Sequence, residues 1–210
     1  MRRDEPGVAL YQRVGIHPSG GTVTFAARAV VALAGLAPAL AGADPVAYRI
    51  DGAHTRAEFT IEHLGVFQAR GRFGAVSGRI VFDGTAHAGS IDLDIPVSSV
   101  ATGYEMRDDF IRGVTMFDAA RYPSMRFRSS KFEFDGDRLV RVEGELTVRD
   151  VTRNASFNVL RIECGHEMRR EACTAEAEGA IRRREFGMEN WWPLIGDEVA
   201  LRFRLSALRD

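Results

Sequence analysis

Few side chains in this sequence have the types and spacing to do chemistry. In 58-EFTIEHLGV-66, Phe59, Ile61 and His63 fall on one face of a period-two pattern and Glu58, Thr60 and Glu62 on the other. An imidazole in an apolar row can be a metal ligand, a general base, a packed core residue, or a polar contact inside a pocket for something greasy. His54 and His63 are an odd number of residues apart, so an unbroken strand points them to opposite sides, and His87 sits in a predicted turn. No metal site follows from them. Cys164 and Cys173 lack CxxC spacing and flank the turn-like GHEMRREA. In an oxidising compartment that arrangement predicts a disulfide pinning a hairpin, while a Cys/His metal site using His166 lacks a further ligand. Asp108 and Asp109 lie in a helical segment, 104–113, where consecutive side chains diverge by about 100°. They are expected on a solvated or salt-bridged face rather than sharing one substrate. No GxSxG, P-loop, HExxH or dinucleotide fingerprint is present, and the serines lack an activating context. The sequence therefore predicts no catalytic residue.

The elements that hold these residues are mostly strands. Ile91, Leu93 and Ile95 alternate with Ser90, Asp92 and Asp94, and Val199, Leu201, Phe203 and Leu205 alternate with polar residues near the end. One dry and one wet side over many strands is the antiparallel pattern. In FQARGRFGAVSGRIVFD the inward set changes from odd to even positions at Gly74-Ala75, which predicts a bulge or glycine corner; a similar slip falls near Ser129-Ser130. Long, bent, glycine-punctuated strands suit a sheet closing on itself. Roughly eight strands and one inserted short helix give the expected fold: all-β, an eight-stranded antiparallel barrel. Its interior either fills with side chains or holds one slender ligand.

Residues 29–43 form an apolar run after Arg28 that ends in small residues with A-x-A patterns. At 15 residues and interrupted by Pro38, it reads as a cleaved secretory signal peptide rather than a span. Residues 1–43 are taken as leader and signal peptide, with the true start near Val23, and 44–210 as one barrel domain. Cleavage leaves 24 basic against 27 acidic residues, net −3. That balance gives no case for nucleic acid as partner.

The inward rows are rich in Phe and aliphatics, yet Gly71, Gly78, Gly144, Ala175, Ala177 and Gly179 share them. Small residues leave room, although tapering barrels also alternate small with large. Apolar walls with a polar group such as His63 suit a lipophilic ligand with a polar head. The lining candidates are Phe59, Ile61, Phe73, Ile91, Leu93, Phe127, Leu146, Phe157, Leu201 and Phe203, with His63 as a polar contact. Phe186, Met188, Trp191 and Trp192 are expected at a mouth.

Several of these residues carry a family resemblance. Tyr48-Arg49-Ile50-Asp51, His54, Phe59, His63-Leu64-Gly65, Gly71-Arg72-Phe73, Gly78 and Phe82-Asp83 are followed by Arg107-Asp108, Phe117-Asp118, Tyr122-Pro123, Phe127 and Ser129-Ser130. Then come Gly144-Glu145-Leu146-Thr147, RRREFGM at 182–188 and Ile195-Gly196-Asp197-Glu198-Val199. In order and spacing, over about 47–208, this resembles the YceI-like family of lipocalin-like barrels associated with polyisoprenoid binding. Asp150 and Asn154 depart from it, standing where glycine and proline are usual. The resemblance implies a periplasmic binding or carrier protein that requires no cofactor and holds an isoprenoid or quinone tail in its barrel. It leaves open a homodimer and transient membrane contact. Two rival readings remain: a filled barrel working as an interaction or stress-protection module through Trp191-Trp192, and an enzyme on a lipophilic substrate with His63 as base.

Overall fold

The structure, a computed structural model, describes residues 44–167, with backbone only at 167, and 170–210. The leader, signal-peptide and start-site readings lie outside the described residues. Eleven strands form one antiparallel sheet: β1 (Val46–Ile50), β2 (Arg56–His63), β3 (Phe67–Phe73), β4 (Ser77–Asp83), β5 (Ala88–Pro96), β6 (Val100–Ala101), β7 (Ser124–Asp135), β8 (Arg138–Val148), β9 (Val151–Glu167), β10 (Arg170–Arg182) and β11 (Ile195–Arg209). The single α-helix among the described residues, α1 (Glu105–Arg112), follows β6.

Eleven strands make eight staves. β1 and β2 both pair with β11, β1 at its end (Ile50↔Ala207) and β2 along its earlier half (Leu201↔Phe59). β4 pairs with β1 while β3 pairs with β2, and β5 pairs with β4 while β6 pairs with β3. So β1+β2, β3+β4 and β5+β6 are each one long strand broken in the middle. With β7 to β11 they form an up-and-down meander that closes through β11 and β1. The expected eight-stranded antiparallel barrel is what forms, and closure removes most exposed edges.

One of these breaks, between β3 and β4, falls where the alternation slips. Between β3 and β4 the chain turns through Ala75 at φ 50°, so Phe73 and Val76 both point inward although their numbers differ in parity. At the second slip β7 bulges between Ser129 and Lys131. The buried Ser129 hydroxyl donates to the Glu143 carbonyl (2.5 Å) and accepts from the Lys131 N–H (3.2 Å), satisfying groups the bulge removes from the ladder. A third slip was not read from the sequence. Ala177 opposes Val159 but Glu176 opposes Arg161, which leaves Leu160 unmatched and moves the inward row of β9 from Phe157 and Val159 to Ile162 and Cys164.

Beyond Arg72 and Phe73, which pair with β6, the outer edge of β3 has no strand neighbour among the described residues. The helix and the turn after it cover that side with Phe110, Ile111, Met116 and Phe117. α1 is tied down by the Asp108 carboxylate, which accepts from the Thr102 N–H (2.8 Å) and hydroxyl (2.5 Å) near the helix N-terminus, where negative charge is favoured. Asp109 instead pairs with Arg112 at 2.9 Å. The two carboxylates diverge as expected and serve the helix.

Candidate functional site

The barrel interior is not filled. Two apolar cavities lie in series, one of about 340 Å³ at the α1 end and one of about 310 Å³ toward the β9–β10 hairpin. They share Ile95, Leu146 and Phe203 as a common waist. Phe59, Ile61, His63, Phe73 and Leu201 line the first lobe; Ile91, Leu93, Phe127 and Phe157 line the second. Every residue singled out from the apolar rows thus faces one lobe or the waist, because each stave keeps its period-two pattern locally. Edge-to-face ring pairs, Phe127–Phe157 at 5.2 Å and Phe157–Phe203 at 5.1 Å, stiffen the wall of the second lobe.

The source of the room agrees with the sequence reading at the alanines and departs from it at the glycines. A methyl group on Gly71 would run into the Phe59 ring, one on Gly179 would meet the Phe157 ring at 2.7 Å, and one on Gly144 Phe127 Cζ at 2.9 Å. These glycines do not open space for a ligand; aromatic rings lie over them, and glycine is needed to let the rings lie there. The space comes from the alanines among the lining residues: Ala175 and Ala177, as expected, with Ala207 in the second lobe, and Ala57 and Ala69 in the first.

The expected mouth residues also separate. Phe186 is 1% exposed, in a 3-10 turn (Arg183–Phe186) packed into the core, so it guards no opening and lines neither lobe. Its expected place at a mouth rested on an aromatic ring suiting a partly wet rim, and here the ring packs into the core instead. Met188 is buried and lines the first lobe. Trp191 and Trp192 are half exposed beside it, Trp191 edge-on to Phe110 at 5.8 Å and Trp192 beneath the Arg184 guanidinium at 5.1 Å.

Polar groups sit at the two ends. At the α1 end the first lobe reaches the surface at His63 and Arg70, both exposed, and Arg107 and Arg183 also line it. His63 has no side-chain hydrogen bond among the described residues. Arg183 is 1% exposed, and its guanidinium donates to four backbone carbonyls: Gly196 (2.8 Å), Asn190 (2.9 Å), Ile195 (2.9 Å) and Met188. Burial pulls its pKa down, with Asp197 opposing. It clamps the loop from Met188 to Gly196 over the lobe.

At the other end Tyr48 donates to Glu171 at 3.1 Å, and Arg209 donates to the same carboxylate at 2.9 Å. Burial, then the neighbouring carboxylate, raises the Tyr48 pKa above its ordinary value. Sequence reading missed Glu171 as a lining residue. The signal was available, since it has the same parity as Cys173 and Ala175 and extends the inward row of β10 by one step.

Cys164 and Cys173 stand directly opposite in the β9–β10 ladder and form the expected disulfide, Cα–Cα 4.1 Å. Together with Glu171 they form a compact donor cluster, but sulfurs joined to each other offer no thiolate to a metal. His54 pairs with Asp51 at 2.7 Å, and His87 contacts Asp137 at 3.2 Å while stacking on Phe134. Outside the barrel, a broad open depression of about 910 Å³ is lined by charged and small polar residues. Its charges pair across it, Arg128 with Asp92 and Lys131 with Glu143, as a solvated surface does. The enclosed apolar lumen is the site with the character of a ligand pocket.

A family model of the YceI-like domain matches residues 48–207. Protein YceI of Escherichia coli O157:H7 is 30% identical over 158 residues, covering 73% of this chain and 82% of that one. The crystal structure of Burkholderia cenocepacia BcnA superposes with a TM-score of 0.65 at 26% identity, covering 75% of this chain and 98% of that one. A domain from Saccharophagus degradans, described as a polyisoprenoid binding domain implicated in plant cell wall breakdown, superposes with a TM-score of 0.59 at 21% identity, covering 79% and 99%.

Proposed function

The chain belongs to the YceI-like family, and from that premise we propose that it binds a polyisoprenoid, isoprenoid quinone or similar long-chain lipid along its barrel and carries it in the periplasm. The observation that supports this reading is the lumen itself: two apolar lobes in series, each near the lower end of the roughly 300–1,000 Å³ range of small-molecule sites. β11 has 15 residues; at about 3.3 Å per residue and a tilt of about 40°, the barrel is on the order of 35–40 Å tall. A tall, narrow, apolar interior suits an extended chain better than a compact ring system. The Saccharophagus degradans domain supplies the ligand class by analogy of fold.

Binding is by burial of apolar surface at about 0.8 kcal/mol per CH₂, so even part of an isoprenoid tail supplies micromolar affinity after the cost of association. The open lobes favour a carrier over a filled interaction module. A passage to the periplasm rests on the apolar run at 29–43 and accords with the disulfide. The test is native mass spectrometry of protein purified from the cells that make it, with organic extraction and identification of the bound lipid. One isoprenoid or quinone per chain is expected. Protein that is empty, and stays empty after incubation with such lipids, overturns the reading.

A further inference from the structure

Resting on the reading of the lumen as a lipid site, we propose that the α1 end of the barrel docks on a phospholipid surface, inserting an apolar rim around the mouth so that the ligand passes between lumen and bilayer without crossing water. Nine of the eleven exposed large hydrophobic residues among the described residues lie on three neighbouring segments at this end. The β2–β3 turn carries Leu64, Val66 and Phe67, the last two 77% and 62% exposed. The loop before β11 carries Trp191, Trp192 and Leu194. The helical segment and the turn after it carry Tyr104, Met106 and Val114, with Met106 88% exposed.

These segments touch one another. The Leu64 N–H donates to the Leu194 carbonyl at 2.8 Å, His63 pairs with both Phe67 and Ile195, and Trp191 packs on Phe110. Asn190 donates to the Thr115 carbonyl at 3.1 Å, joining the loop to the turn after α1. Met106 lies one turn before Phe110 on the same helix face. The rim is therefore continuous, and it surrounds the place where His63 and Arg70 bring the first lobe to the surface.

The chemistry of the rim selects the occupant. Two of its aromatic rings carry a guanidinium against the face, Arg184 over Trp192 and Arg107 over Tyr104 at 4.8 Å. A ring with an apolar body and a cation at its edge fits the boundary between acyl chains and lipid phosphates. Glu105, Glu185 and Glu189 on the same segments offset those arginines. Apolar insertion rather than net charge then drives docking, and a zwitterionic surface suffices. A second copy of the chain seated here would seal the mouth through which the ligand moves.

The two tryptophans of the chain both lie in this rim, so they report on it directly. The full chain is mixed with phosphatidylcholine vesicles bearing dibrominated acyl chains, and binding is followed by co-sedimentation and tryptophan emission. The expected result is a blue shift with strong quenching that persists in 1 M salt, where screening is within about 3 Å. The double variant V66D/F67D is expected to lose at least about ten-fold in vesicle affinity while keeping its melting temperature and its uptake of a short isoprenoid alcohol in vesicle-free buffer. Vesicle binding without quenching, equal binding by the variant, or a stable dimer with buried tryptophans in buffer alone overturns the proposal. Docking by a protein that takes up no isoprenoid leaves the surface assignment standing and overturns the lumen reading instead.

Discussion

Two side chains set the ends of the lumen, and each makes a separate prediction. Arg183→Met keeps much of the stem but removes every donor from the four carbonyls it holds. Hydrogen bonds to a charged group contribute roughly 1.5–3 kcal/mol and buried orphans are costly, so the loss is expected at about 3 kcal/mol. At about 2–4 °C per kcal/mol for a chain of this size, thermal melting should show a fall of roughly 6–12 °C, with Arg183→Lys recovering part of it. Tyr48 gives a pH prediction. Its folded pKa is raised, chiefly by burial and then by Glu171, so the fold favours the neutral phenol. That contribution is fully present below the ordinary value near 10 and is lost as pH rises through the raised folded value. Melting temperatures between pH 9 and 11.5 should therefore fall less steeply for Tyr48→Phe than for the natural chain. Both cysteines are held in the disulfide, so no thiolate titrates over the same range. His63 illustrates what the sequence could tell: its inward row was legible, whereas its lack of a side-chain partner among the described residues was a matter of three elements meeting and could not be read from one strand.

Among the elements, period-two alternation placed the lumen walls because it survives any break that leaves each stave straight on either side. What alternation could not show was that β1 and β2 are halves of one stave, since that depends on both finding β11. Nor could it show the slip at Leu160, where no glycine marks the bulge, or the 3-10 turn that buries Phe186. The glycines carry the sharpest test of how the staves pack. At Gly144 a methyl group would run into the Arg128 carbonyl of the neighbouring strand and the Phe127 ring. Gly144→Ala should cost about 2 kcal/mol, the scale of overpacking in a filled site. Gly74, at the corner between β3 and β4, has nothing within 4 Å of that position and no left-handed φ. Gly74→Ala should be neutral or stabilising by up to about 1 kcal/mol, through the lost freedom of the unfolded chain. Chemical denaturation of the two variants separates these cases: similar midpoints would mean that the rings over the glycines can move aside. At the β8–β9 turn, Asp150 stands where the family resemblance led one to expect glycine, yet its carboxylate accepts from Tyr122 at 3.0 Å, so the departure has its own partner.

For the molecule as a whole, the question is whether the two lobes act as one site. They share Ile95, Leu146 and Phe203, so an extended chain entering at His63 would meet the waist before reaching the disulfide end. Ala175 faces the second lobe from β10, opposite Leu205 of β11 and Ile162 of β9, well beyond the waist. Ala175→Phe puts a ring into the 310 Å³ space without touching the first lobe. Filling an apolar void is expected to raise stability by about 0.5–2 kcal/mol. If one ligand threads both lobes, this variant should bind short isoprenoid alcohols with unchanged affinity and lose affinity progressively once the chain is long enough to pass the waist. Each methylene refused entry removes about 0.8 kcal/mol, so a few suffice for a hundred-fold loss. Titration of a series of increasing chain length against both proteins reads the effect as a break in slope at one length. Parallel slopes for the two proteins would show that the second lobe takes no part in binding, and that the protein holds its ligand at the α1 end alone.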